Sequence, residues 1–267
     1  MSKKRFNKIV EDIKKVKIQG ARNVAKAALY ACSLYPGGCL IHPEAKRKLE
    51  SARPTEPMLT NTLHNYDKLG YKKTLEHFDE AQKKINSAVF KIIKNKMIIY
   101  THCHSSNVVK ALIYAKKRGK KFEVFNTETR PLFQGRKTAK ELGKAGIKVT
   151  MFADSAMEEA ISKADLIFIG SDAILNSGVI NKVGSELIGE IANLRRKPMY
   201  VIADSWKFSP KHVKIEERDF HEIWARVPKN IKVENPAFEF VHKKHIRGIV
   251  SEYGLLSFDK FIKKVRN

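Results

Sequence analysis

MIIYTHCHSSNVVKALIYAKKRGKKFEVFNTETRP, residues 97–131, runs from an apolar stretch through a polar turn and a helical segment into a second apolar stretch. The stretches 97–101 and 122–126 read as strands, and 105–118 between them reads as a helix. The unit then repeats. Strands are predicted at 148–152, 166–169 and 199–203, with helices at 135–145, 155–163 and 184–195. Strands alternating with helices predict a parallel sheet covered on both faces. Two further short strands are expected at 231–233 and 246–250.

Upstream of this region the period changes. Phe6, Ile9, Val10, Ile13 and Val16 recur at helical spacing over 5–17, and a second, Ala-rich helix spans 21–34 before Pro36-Gly37-Gly38. A third, at 74–93, carries Leu75, Phe78, Ala81, Ile85, Val89 and Ile92 on one face. The irregular segment Ser51-Ala52-Arg53-Pro54-Thr55 lies between them. The expected fold is therefore α/β: an N-terminal helical domain at 1–95, followed by a Rossmann-like parallel-sheet domain at 96–267.

The length of 267 residues allows one large domain or two small ones. With 43% hydrophobic and 30% charged residues, disordered and collagenous classes are excluded. No apolar run reaches the ~20 residues of a membrane span, and 1–17 lacks the apolar stretch of a signal peptide. Three cysteines, Cys32, Cys39 and Cys103, are too few for a disulfide scaffold. The thiols read as reduced and the chain as cytoplasmic. A net charge of +24 favours polyanionic partners, from phosphorylated metabolites to nucleic acid. The basic residues are scattered and not interleaved with aromatics, so a nucleic-acid partner is not expected.

Chemistry concentrates after the strands, where open α/β sheets bind ligands. His102-Cys103-His104-Ser105 follows the first strand, Thr127-Glu128-Thr129-Arg130 and Gln134-Gly135-Arg136 the second, and Asp154-Ser155 the third. Gly170-Ser171-Asp172 and Asn181-Lys182 follow the fourth, and Asp204-Ser205-Trp206-Lys207 the fifth. Cys103 is a candidate nucleophile or acid/base, with the flanking histidines and the next helix N-terminus favouring thiolate. Asp172, in an apolar turn, is a candidate general acid. Asn181-Lys182 before Gly184-Ser185, and Gly135-Arg136, suit phosphate groups held at helix starts. Arg53 and Lys207 are further candidate cations. His102 and His104 share one strand face while Cys103 points to the other, and no second pair has zinc spacing, so no metal is expected. Neither a Walker A loop nor a dinucleotide fingerprint is present, so no nucleotide cofactor is expected.

In order along the chain, Thr101-His102-Cys103-His104-Ser105, Thr127-Glu128-Thr129-Arg130-Pro131, Gln134-Gly135, Gly170-Ser171-Asp172, 178–184 and Glu234-Asn235-Pro236-Ala237-Phe238 resemble the superfamily of initiation factor 2B alpha, beta and delta subunits. That superfamily also contains isomerases of methylthioribose 1-phosphate and ribose 1,5-bisphosphate. The resemblance runs from about residue 18 to 254 and looks closest to the archaeal ribose-1,5-bisphosphate isomerases. It implies an aldose-ketose isomerase of nucleotide metabolism and AMP degradation, with Cys103 and Asp172 as acid-base pair. Substrate contacts are implied at Gly20, Ala21, Arg53, Arg130, Gln134, Asn181, Lys182 and Lys207, with no metal or redox cofactor. A phosphorylated sugar is the implied partner, and a homo-oligomer (a dimer or assembly of dimers) the implied state. One departure is Gln19-Gly20-Ala21, where the isomerases typically carry Arg-Gly-Ala; Arg22 is the nearby cation. The alternative implied by the same resemblance is a non-catalytic regulatory subunit that binds a sugar phosphate or nucleotide and a translation factor.

Overall fold

Leu166–Ile169 reads Leu-Ile-Phe-Ile and is buried on both faces. A strand of that kind fits only the middle of a sheet covered on both sides. The computed structural model describes residues 2–35 and 38–267; Pro36 and Gly37, read above as the stop of the second helix, lie outside the described residues.

The helical part comprises α1 (Ser2–Lys14), α2 (Ala21–Ser33), α3 (Pro43–Glu50) and α4 (Pro57–Ile92). The helix expected at 74–93 is the second half of α4, which breaks at Gly70, where φ is 76°. Two helical stretches escaped the sequence reading, α3 and the first half of α4. Each opens on a proline, which suits the first helical turn because its missing N–H would have no partner there. Phe6, Val10 and Ile13 of α1 pack with Val24, Ala28 and Cys32 of α2 and with Leu59 and Leu63 of α4. Cys32 and Cys39 are paired as a disulfide inside this cluster, which corrects the expectation of reduced thiols for these two; Cys103 is free.

From β1 (Ile98–Thr101) the chain alternates as expected through α5 (Ser106–Lys117), β2 (Glu123–Thr127), α6 (Gln134–Lys144), β3 (Lys148–Phe152), α7 (Met157–Lys163) and β4 (Leu166–Ile169). It continues through β5 (Ala173–Ile174), β6 (Gly178–Lys182), α8 (Ser185–Leu194), β7 (Met199–Ile202), β8 (Phe238–His242), β9 (Gly248–Ser251), β10 (Gly254–Leu256) and α9 (Phe258–Arg266). The main sheet has the order β10-β9-β7-β4-β1-β2-β3. It is parallel except for β10, which runs antiparallel to β9. Two apolar clusters cover its faces, one centred on Tyr100, Ile167 and Val201, the other on Ile99, Phe168 and Ile202.

Two readings change. No strand forms at 231–233, where the residues are largely exposed. Residues 178–182, which end in the Asn181-Lys182 pair read as preceding a phosphate-binding helix start, form β6, the centre of a small antiparallel sheet β5-β6-β8. All five are buried, and Asn181 and Lys182 end the strand at the cleft. Gly178 is required there, since a Cβ would come within 2.2 Å of the Val241 carbonyl oxygen.

The chain moves from β1 to β2 and β3 on one side, then returns to β4 on the other side of β1. This reversal leaves a crevice beyond the carboxyl ends of β1 and β4, the place where open sheets take ligands. Cys103 follows the first of these ends and Asp172 the second.

Candidate active site

A cleft at the switch point brings together Gly20, Ala21, Arg53, Cys103, Gln134, Asp172, Asn181, Lys182 and Lys207. Gln19, Arg22, Glu56, His102, Lys137 and Arg218 also line it. Arg130 is the exception among the expected residues. It is exposed, and its guanidinium donates to the carbonyl of Ile223 at 3.2 Å instead of entering the cleft.

The loops around Cys103 are held in uncommon backbone shapes. Cys103, Thr129 and Phe133 all have positive φ, at 63°, 62° and 56°. Non-glycine residues pay of the order of 1–3 kcal/mol for such geometry, so surrounding bonds must hold it. The Cys103 N–H donates to Thr129 Oγ1 at 3.0 Å, and Thr138 Oγ1 donates to the Cys103 carbonyl at 2.8 Å. Asp154, at the end of β3, accepts from the N–H groups of Thr129 and Arg130 at 2.8 and 2.7 Å. Gly135 lets α6 start against this loop, because a Cβ would lie 1.8 Å from the Thr127 carbonyl oxygen. Gly135→Ala should therefore destabilise by ~1–3 kcal/mol, read as a lower urea midpoint at unchanged m.

The flanking histidines do not make Cys103 a thiolate. Nε2 of His102 lies 3.0 Å from the Val183 carbonyl, so it carries the proton, and Nδ1 lies 2.8 Å from Thr127 Oγ1. Burial lowers the pKa of His102, and of His104 as well. Burial pushes the Cys103 thiol up to about 12, with Lys182 pulling weakly the other way. Asp172 is raised chiefly by burial, opposed by Lys207 and Arg53. It remains the better acid candidate.

The two helix starts read as phosphate sites already carry protein carboxylates. Glu239 Oε1 accepts from the N–H of Glu186 at 2.7 Å, at the start of α8. Arg136, on α6, pairs with Glu128 at 2.7 Å. The remaining cations are partly engaged. Arg53 bonds Glu216 at 2.7 Å, Arg22 bonds Asp79 at 2.6 Å, and the Lys207 ammonium donates to the Ser171 carbonyl. Asn181 donates to Ser185 Oγ at 2.8 Å. Burial lowers the pKa of Lys182. Glu216 and Arg218 come from the 208–237 connection. Arg218 N–H bonds the Asn235 carbonyl, and Ala237 N–H bonds the Glu216 carbonyl, at 3.0 and 2.9 Å. The Glu234–Phe238 motif thus fastens the segment that covers the cleft. Asp204 is turned away towards His77 of α4, at 3.0 Å.

Sequence reasoning missed Glu56, Glu216 and Arg218. Glu56 lies directly after the Arg-Pro-Thr segment and one turn beyond Arg53, a signal that was available. The other two sit in a connection without periodicity. Among the described residues, two groups of potential metal ligands lie outside the cleft, His77-Asp204-Glu252 and Glu186-Glu190-His245; His77 is bonded to Asp204 and His245 to Glu186.

The model of the Initiation factor 2 subunit family matches residues 43–258. The chain belongs to that family. It is 36% identical over 275 residues to the ribose 1,5-bisphosphate isomerase of Methanocaldococcus jannaschii, covering 92% of this chain and 89% of that protein. It is 39% identical over 186 residues to the ribose 1,5-bisphosphate isomerase of Archaeoglobus fulgidus; that match covers 67% of this chain and 59% of the relative. A crystal structure from Pyrococcus horikoshii OT3, described as translation initiation factor eIF-2B, superposes with a TM-score of 0.83 at 27% identity, over 95% of this chain and 97% of that one. Family members of both descriptions therefore resemble this chain along most of its length. No helix among the described residues is long and apolar enough to cross a membrane.

Proposed function

We propose that this protein is an aldose-ketose isomerase that converts ribose 1,5-bisphosphate to ribulose 1,5-bisphosphate. The observation that carries this reading is the placement of a thiol and a buried carboxyl, Cys103 and Asp172, at the ends of the two strands that flank the switch point, in a cleft lined by Arg53, Lys182 and Lys207. A sugar carrying phosphates at both ends suits such a set of cations. The identity to relatives named as ribose 1,5-bisphosphate isomerases supports the same substrate.

An aldose blocked at C1 cannot open by losing an anomeric proton. Asp172 gives its proton to the ring oxygen as the C1–O bond breaks. Cys103 removes the proton from C2, and a C1=C2 enol forms. The Asp172 carboxylate then takes the proton of the enol hydroxyl and the Cys103 thiol gives a proton to C1, which leaves a ketone at C2 and returns both groups to their starting states. The thiolate is a minor form of a thiol near 12, but a correspondingly strong base. The substrate phosphates bind at Arg53, Lys182 and Lys207, with Gly20, Ala21, Gln134 and Asn181 shaping the cleft around them; Arg22 stands in for the Arg replaced by Gln19. Arg130 approaches the substrate only if the 208–237 segment moves.

Arg53→Ala and Lys207→Ala should each raise KM by roughly 10–100-fold with a smaller change in kcat. The defect should deepen with added salt as the remaining charges are screened. If KM is unchanged in both, these cations do not hold the phosphates.

The regulatory reading is favoured by Gln19 and by the Arg53–Glu216 pair, in which a protein carboxylate already takes the phosphate cation. Incubation of the purified protein with ribose 1,5-bisphosphate, methylthioribose 1-phosphate and ribose 5-phosphate separately distinguishes the readings. The isomerase reading expects ketose from the first alone. A raised Tm without product, even with AMP added, would support a sensor.

A further inference from the structure

Glu56 immediately precedes α4, yet its carboxyl makes no capping bond to that helix. It lines the cleft with Arg53, Cys103, Asp172 and Lys207, and only 3% of its surface is exposed. One oxygen, Oε1, lies 3.9 Å from the Arg53 guanidinium, too far for a hydrogen bond. The other, Oε2, is buried and has no partner among the described residues. The nearby cations are engaged elsewhere. Arg53 is bonded to Glu216 at 2.7 Å, and the Lys207 ammonium donates to the Ser171 carbonyl. A buried carboxyl oxygen without a partner costs stability. In a ligand cleft that cost has a purpose when the ligand brings the missing partner.

The surroundings select the chemistry of that partner. A cationic ligand group would be repelled by Arg53, Lys182 and Lys207, which line the same cleft. A phosphate is better placed on those cations than on a carboxyl. A hydroxyl carries no charge and can both give and take a hydrogen bond. Burial, reinforced by Asp172 and opposed by Arg53 and Lys207, pushes Glu56 up to about 8. Below that pH the carboxyl keeps a proton and can likewise give and take one bond. Among the polar groups of ribose 1,5-bisphosphate, the phosphates fall to the cations, and the ring oxygen and 2-hydroxyl to Asp172. The 3-hydroxyl, which the reaction leaves unchanged, is the group without a partner.

We propose that Glu56 binds the 3-hydroxyl of the sugar and is a specificity-determining residue of the cleft. The choice of that hydroxyl rests on the isomerase reading; the match of the enclosed carboxyl to a ligand hydroxyl does not.

The test measures kcat/KM for ribose 1,5-bisphosphate and for its 3-deoxy analogue, with wild type, Glu56→Gln, Glu56→Ala and Glu56→Met. Wild type should prefer the hydroxylated sugar at least ~10-fold, because the analogue leaves the carboxyl unpaired. Glu56→Ala and Glu56→Met offer no polar atom, and either should bring the two sugars to within about two-fold of each other. Glu56→Met keeps the length of the side chain, so it reports even if the smaller residue disturbs the fold. Glu56→Gln still gives and takes a hydrogen bond and should keep most of the preference. A wild-type preference below about two-fold, or one that persists in both apolar variants, would overturn the proposal. So would an equal loss on both sugars in those variants, which would make Glu56 a support of the cleft rather than a contact. If wild type converts neither sugar, the isomerase reading fails; the ratio of calorimetric Kd values for the same two ligands then decides the role of Glu56. Binding of neither ligand would overturn both.

Discussion

Asp172→Asn should lower turnover of ribose 1,5-bisphosphate at least ~10²-fold while leaving binding intact. The amide has nearly the shape of the carboxyl but no acidic proton for the ring oxygen. Asp172 sits in a turn secured by its own backbone, where its N–H donates to the Ile180 carbonyl at 2.8 Å. Its neighbour Ser171 donates to the Ala173 carbonyl at 2.7 Å. The turn should therefore survive the change, and Tm and substrate binding should stay close to wild type. The wild-type rate should also fall at high pH as the carboxyl loses its proton, and the variant should lack that limb. Turnover within a few-fold of wild type would remove Asp172 from the reaction.

Cys103→Ser should have an effect of the same size, for a different reason. A serine hydroxyl ionises far less readily than even a thiol pushed up to about 12, so removal of the C2 proton should slow at least ~10²-fold. The substitution is small, and the bonds that hold the left-handed backbone at 103 run through main-chain atoms and the hydroxyls of Thr129 and Thr138. Stability should therefore change little. Because the unliganded site holds the neutral thiol, wild-type Cys103 should alkylate slowly at neutral pH and faster as pH rises. A Ser variant with near-normal turnover would leave Cys103 as packing at the strand end.

The sheet was legible because its signal is local. Short apolar runs such as 166–169 alternate with amphipathic helices, and burial on both faces demands that composition. The cleft was legible for the same reason: alternation makes the strands parallel, and their carboxyl ends deliver Cys103 and Asp172 to one edge. What escaped depends on long-range contacts. Glu239 and Glu128 reach back to the anion sites expected near Ser185 and Gly135, and nothing in either local pattern announces a distant carboxylate. Residues 178–182 alternate too weakly to mark a strand, and β6 is fixed by its pairing with β5 and β8. The thiolate expected at Cys103 failed because adjacency to histidines was given more weight than burial. His102 is committed to Val183 and Thr127 and is held neutral, so it lends no positive charge. Glu56 lay in plain sight beside Arg53, but its burial follows from the packing of α4 against the sheet domain.

The central claim is conversion in the cleft, and one measurement tests it most directly. The purified protein is mixed with ribose 1,5-bisphosphate in deuterated water, without metal or nicotinamide cofactor, and followed by NMR. The account predicts ribulose 1,5-bisphosphate as product, with any deuterium confined to C1, where the Cys103 thiol returns a proton after exchange with solvent. Substrate that raises the Tm of the protein yet remains unchanged throughout would contradict it, and would make the cleft a sensor of sugar phosphates.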